Sequence, residues 1–194
     1  MTIRIAVSAA ALLGLAACGG GDGGIGGGFA ALDAEYDALL DNFSVGTSTG
    51  TGVVDYSGVM LVANSLEPGS ASSEGYMGSA TMSMNFTSGD FEGDADGFYL
   101  VSIDPATGLP NGIITSVNPD GSVSSTNVTF DDTGIVDEFF TPVFTGSING
   151  DALAGEGAGT FRDPDGTTVT IVETNGASGF TLDGVASDVN ILGD

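Results

Sequence analysis

Carboxylates are nearly all the side-chain chemistry this chain carries. It has 26 aspartates and glutamates against two arginines, no histidine and no lysine, and its one cysteine is Cys18. Histidine-based and cysteine-based nucleophilic triads, Schiff-base lysines and imidazole metal sites therefore fall away. The densest acidic pattern is Asp90, Glu92, Asp94 and Asp96, four carboxylates on alternate residues. At strand spacing they share one face, and oxygen ligands of that kind suit Ca²⁺. The four residues complete no twelve-residue calcium loop, and alternate acids on a strand also simply make its wet face. The reading is of no bound cofactor, with Ca²⁺ the one candidate ion. A carboxylate pair for sugar hydrolysis would lack a tryptophan to stack on its substrate, since the chain has none. No enzyme is expected.

The stretch that positions these acids is residues 75–101. Tyr76, Gly78, Ala80, Met82, Met84 and Phe86 alternate with Ser79, Thr81, Ser83, Asn85 and Thr87. Period two over this length predicts a half-buried strand. Beyond the turn residues Thr87-Ser-Gly-Asp90, a second run places Phe91, Gly93 and Ala95 inward and the four acids outward. The pair is an antiparallel hairpin with an oily face and an acidic face. The other acidic motif, Asp132-Thr-Gly134, resembles the aspartic-protease tripeptide but follows Asp131 instead of an apolar residue and occurs once. It is read as a β-turn.

The amino terminus reads as an export address. Met1-Thr-Ile-Arg4 is a thin positive region, and Ile5 to Ala17 is an apolar run of 13 residues, too short to span a bilayer. The run ends Leu15-Ala16-Ala17-Cys18, which resembles the lipobox of bacterial lipoproteins. The resemblance implies cleavage after residue 17 and lipidation of Cys18. A lone cysteine makes no internal disulfide, which fits that role. Acyl chains contribute about 0.8 kcal/mol per buried CH₂, so several of them form a stable anchor. Gly19 in place of an aspartate implies passage to the outer membrane. Eight glycines between Gly19 and Gly28 complete a flexible tether, residues 18–28.

Past residue 17 all 26 acids remain against Arg162 alone, a formal charge of −25 (26 acids less one arginine). Such a surface repels phosphate backbones and anionic headgroups, which excludes nucleic acid as a partner and leaves the lipid anchor as the membrane contact. Carboxylates also keep an extracellular domain soluble. With 41% hydrophobic residues and 11 phenylalanines the chain has material for one core and one domain.

Residues 29–43 put Phe29, Leu32, Tyr36, Leu39, Leu40 and Phe43 at helical spacing with Asp33, Glu35, Asp37 and Asp41 opposite. This predicts one short amphipathic helix, packed across a barrel end or sheet edge. A Ser/Thr/Gly linker, residues 44–52, follows. Strands are expected near 53–63, 75–86, 90–101, 112–118, 123–130, 143–150, 153–162, 167–174 and 178–184, broken by turn signals such as Asn118-Pro-Asp-Gly121 and Asp163-Pro-Asp-Gly166. Glycines inside these runs, including Gly78, Gly93, Gly97, Gly157 and Gly159, permit the bends of a small closed barrel.

Two stretches carry a family resemblance. Tyr76 to Gly93, an aromatic strand followed by Ser-Gly and a second strand, resembles the paired strands of the C-terminal barrel of transferrin-binding-protein-B-like surface lipoproteins. Phe144-Thr-Gly-Ser-Ile-Asn-Gly150 with Leu153 to Phe161 resembles that family's second barrel signature. The likeness spans roughly residues 53–184. It implies an all-β fold, a small antiparallel barrel of about eight strands over residues 53–194, displayed at the outer membrane and engaging a protein or haem-like ligand and an outer-membrane receptor. The chain departs from the family in having a single lobe and almost no cations, so no binding residue carries over. Recognition is expected from the barrel-end loops 64–75 and 104–111. The alternative is a structural or adhesive envelope lipoprotein whose acidic face binds Ca²⁺.

Overall fold

The computed structural model describes residues 27–41, 51–125, 127–133, 139–162, 168–173 and 179–194. The expected signal, Cys18, the tether up to residue 26 and linker residues 44–50 lie outside the described residues.

The strongest alternation in the sequence builds the centre of the sheet. Strands β1 (Val53–Ala63), β2 (Glu74–Asn85) and β3 (Asp90–Ile103) form an antiparallel meander. On β2 the expected inward residues Gly78, Ala80, Met82 and Met84 are buried, while Thr81 is exposed. The β2–β3 turn is closed by the Asn85 side chain, whose Oδ1 accepts from the amides of Thr87 (3.0 Å) and Ser88 (3.2 Å). Asn is well suited to this, because its short amide mimics a backbone turn.

One residue changes the phase of β3. Gly97 adopts φ +64, and the β2–β3 register shifts between Met77 and Ser79. The extra residue is a bulge, and glycine takes the left-handed conformation there without a Cβ clash. Before it, Phe91 and Ala95 face the interior. After it, Phe98 and Leu100 face the interior, while Tyr99, Val101 and Ile103 turn to the opposite face.

The remaining strands are β4 (Pro110–Ile113), β5 (Val128–Asp132), β6 (Phe139–Phe140), β7 (Val143–Ile148), β8 (Asp151–Glu156), β9 (Ala158–Arg162), β10 (Thr168–Glu173), β11 (Thr181–Leu182), β12 (Val185–Ala186) and β13 (Asp188–Gly193). All pair antiparallel in one curled sheet, ordered β12-β11-β8-β7-β5-β3-β2-β1-β13-β10-β9-β6 with β4 on β3. The described residues therefore form thirteen strands where about eight were expected. Three causes account for the difference. The expected run 153–162 is divided at Gly157 into β8 and β9, which pair with β7 and β10 respectively. Ladders of two residues, β6, β11 and β12, add to the count. The C-terminal strand β13, not expected at all, lies between β1 and β10. Two expected strands are also shorter: 112–118 contracts to β4, and 123–130 becomes isolated bridges at Ser122 and Ser125 followed by β5.

The concave side is filled by phenylalanine. Phe91 packs on Phe140 (ring centroids 4.4 Å), Phe140 on Phe161 (4.8 Å) and Phe161 on Phe86 (4.9 Å). A second branch runs from Phe91 through Phe130 (6.0 Å) and Phe144 (5.3 Å) to Phe180 (5.5 Å). The inward glycines make room for these rings. A Cβ on Gly159 would lie closer than 3.0 Å to three ring atoms of Phe140, its cross-strand neighbour, and one on Gly93 would strike Phe130. Glycine thus serves ring seating here as well as sheet bending.

The helix α1 (Gly27–Asp41) begins two residues before the expected start and lies on the convex face, over β1, β2 and β13, instead of across a barrel end or edge. Phe29, Tyr36 and Leu39 bury there against Val59, Leu61, Met77, Val101, Ile103 and Leu192. This second small core explains why residues 58–63 are buried without a break: alternate side chains face the phenylalanine core and the helix. Tyr36 anchors the helix further by accepting a 2.9 Å hydrogen bond from Asn190 Nδ2. Burial pushes the Tyr36 hydroxyl pKa up to about 12, against that hydrogen bond.

Candidate functional site

Two surfaces follow from this frame. The first is the acidic strip on the convex face of β3. Asp90, Glu92 and Asp96 are exposed and Asp94 is half-buried. The ladder brings polar partners beside them: Asp94 sits between Thr81 and Thr129, Glu92 between Ser83 and Asp131, and Asp96 opposite Ser79. Ser79 Oγ donates to Asp96 (3.1 Å), Thr81 Oγ1 to Asp94 (3.3 Å) and Asn127 Nδ2 to the other oxygen of Asp94 (3.2 Å). Ser83 Oγ donates to Asp55 (2.8 Å), which extends the strip to β1. Alternate residues on a strand are roughly 7 Å apart. Among the described residues no three carboxylates converge at metal-ligand spacing. What the strip encloses is a shallow open depression of about 570 Å³ over Gly93, lined by Asp55, Thr81, Ser83, Glu92, Asp94 and Thr129.

The second surface is built from the two expected recognition loops, and the structure brings them together. The β1–β2 loop, residues 64–73, and the β3–β4 loop, residues 104–109, emerge from the same end of the sheet. Gly69 N donates to Pro105 O (2.8 Å), and Gly108, at φ +73, lies so close to Leu66 O that no side chain would fit. Each loop is also closed on itself. Ser65 and Ser72 exchange two hydrogen bonds of 2.9 and 2.8 Å, and Asp104 accepts from the amides of Ala106 through Oδ1 (2.8 Å) and of Gly108 through its carbonyl (2.8 Å). These are Asx-type and Ser-type closures that substitute for ladder bonds.

A residue that sequence reasoning missed holds the lobe to the sheet. Asp188, on β13, is 1% exposed, and its Oδ2 accepts from Leu66 N at 2.7 Å. Beside it the fully buried Ser187 donates to Val185 O at 3.0 Å. The Leu66–Asp188 bond joins residues 122 apart in sequence, so no local pattern announces it. The exposed crown is left with Glu67, Pro68, Pro105, Ala106, Thr107 and Leu109. A surface whose backbone is fixed before contact loses little entropy on binding.

Beneath this lobe lies the mouth of the concave side, a pocket of about 190 Å³. It is lined by Asn64, Glu74, Tyr76, Leu100, Asp151 and Leu182. The Tyr76 hydroxyl hydrogen-bonds with Asn149 and Asp151. Burial, helped by the carboxylates of Asp151 and Glu74, holds its pKa above the ordinary tyrosine value. Asn149 reaches this place from a β7–β8 turn that it occupies at φ +56. No family model matches the chain, and no curated protein matches it.

Proposed function

We propose that this protein is a non-enzymatic lipoprotein of the outer membrane, anchored through lipidated Cys18 and displaying its domain as a binding module for another protein. The observation that carries the reading is the paired-loop lobe: two loops bonded to each other, one of them also held by Asp188, presented at one end of the sheet. Loops fixed on a rigid scaffold are where binding surfaces concentrate. The phenylalanine packing supports an external site, because the concave side is occupied by side chains where a haem-sized ligand would have to enter.

The lipobox, the glycine tether and the likeness to transferrin-binding-protein-B-like lipoproteins point the same way. So does a finer reading of the sheet. β8 and β9 are one run interrupted only by Gly157, pairing with β7 on one side and β10 on the other. Counting them as one strand, the cycle β1-β2-β3-β5-β7-β8/β9-β10-β13 returns to β1, which is an eight-membered barrel with short accessory strands at its rims. Closure would leave few open edges to pair with other chains.

The anchor is tested by fractionating cells that express the wild-type chain or Cys18→Ala. The wild type is expected in the outer-membrane fraction with acyl mass on its amino-terminal peptide, and the variant in the soluble envelope fraction. Equal membrane association of both would remove lipidation from the account.

A further inference from the structure

The mouth beneath the loop lobe combines three features. Its volume, about 190 Å³, falls below the roughly 300–1,000 Å³ of sites that enclose a drug-sized ligand, and suits a single side chain. Its lining combines the apolar side chains of Leu100 and Leu182 with the carboxylates of Glu74 and Asp151, beside Tyr76 and Asn64. Its charge is negative, in a chain of 26 acids and two arginines. There is no lysine, and past the expected signal the one cation in the sequence is Arg162. An apolar stem ending in a cation is the side-chain chemistry that satisfies both parts of such a pocket.

We propose that this mouth receives one lysine or arginine side chain of a partner protein, its methylene stem against Leu100 and Leu182 and its cationic head between Glu74 and Asp151. The proposal rests on the protein-binding reading and names the chemistry of the partner. The Tyr76 hydroxyl, already donating to Asp151, fixes that carboxylate in place and makes Tyr76 a positioning residue. The site lies at the foot of the loop beginning with Asn64, so a partner seated on the crown of the lobe can reach it.

The test is a methyl-NMR titration of the purified full chain with Nα-acetyl-lysine methylamide and Nα-acetyl-arginine methylamide, against the uncharged isostere Nα-acetyl-norleucine methylamide. The expected result is saturable shifts of the Leu100 and Leu182 methyls with both cations and none with norleucine. Each of Glu74→Gln and Asp151→Asn is expected to weaken binding by about five-fold, the upper range for a solvent-accessible ion pair. Tyr76→Phe is expected to weaken it less. Three results would each overturn the proposal: shifts that do not saturate, equal shifts with norleucine, or undiminished binding in the Glu74→Gln/Asp151→Asn double variant. The lysine-to-norleucine comparison uses the unaltered chain, so it stands whether or not a variant folds. Failure here would remove the cation pocket alone, whereas failure of the anchor shows in the fractionation above.

Discussion

Adding one methyl group to Gly159 tests the claim that glycine seats the aromatic core. Gly159 lies directly opposite Phe140, and a Cβ there would meet Cζ, Cε1 and Cε2 of that ring at less than 3.0 Å. Carbon atoms rest at about 3.5–4.0 Å, so the ring would have to retreat by at least about 0.5 Å. It has nowhere to go. Phe140 is 2% exposed and clamped between Phe91 at 4.4 Å and Phe161 at 4.8 Å. Overpacking of this kind costs about 1–3 kcal/mol. The opposing gain, from restricting the unfolded chain, is about 0.4–1 kcal/mol and applies because Gly159 is not among the positive-φ glycines. Gly159→Ala should therefore destabilise by about 1–2 kcal/mol, read as a lower urea midpoint at unchanged slope. Combined with Phe140→Ala, the same substitution should become neutral or stabilising, giving a coupling of at least about 1 kcal/mol. Equal destabilisation in both backgrounds would place the cost in the backbone and refute the ring-seating argument, as would a neutral effect in the wild type.

Three further expectations follow from the same structure. Removing the carboxylate in Asp188→Ala leaves the part-buried Leu66 amide without its acceptor, at a cost of about 1–3 kcal/mol; hydrogen exchange should accelerate at Leu66 and Gly69 while the β2–β3 hairpin stays protected. Tyr36 is held neutral by burial, its folded pKa of about 12 lying above the ordinary value of 10.0. The stability it contributes is complete below pH 10 and lost as pH rises toward 12, so Tyr36→Phe should flatten the alkaline decline of the melting temperature. Ca²⁺ and Mg²⁺ at equal ionic strength should raise the melting temperature alike, by screening a chain of formal charge −24; a shift specific to Ca²⁺ would favour the adhesive reading.

How much of this was legible in the sequence depended on whether a strand has one wet face. β1 begins at the expected residue, and β2 and β3 lie within two residues of theirs, because Ser79, Thr81, Glu92 and Asp94 mark an outer side against Met82, Met84 and Phe91. β13 carries no such contrast. Val189 and Ile191 face the phenylalanine core, Leu192 faces the helix, and the polar Asp188 and Asn190 are committed to Leu66 and Tyr36. Burial on both faces erases the period-two signal. The helix was readable from its own periodicity, but its seat was not. The clue lay in outward positions that break the pattern with apolar residues: Met77, Val101 and Ile103. Residues 64–75 and 104–111 were legible only as two separate loops. Their union depends on hydrogen bonds between backbones and on a carboxylate far along the chain, neither of which composition or spacing reports.

Surface display is the central claim, and protease shaving of intact cells tests it most directly, with lysed cells as the control. The account predicts that the domain is cut on intact cells and is then lost from their surface. Protection until lysis would put the domain in the periplasm and contradict the reading of a module that meets partners outside the cell.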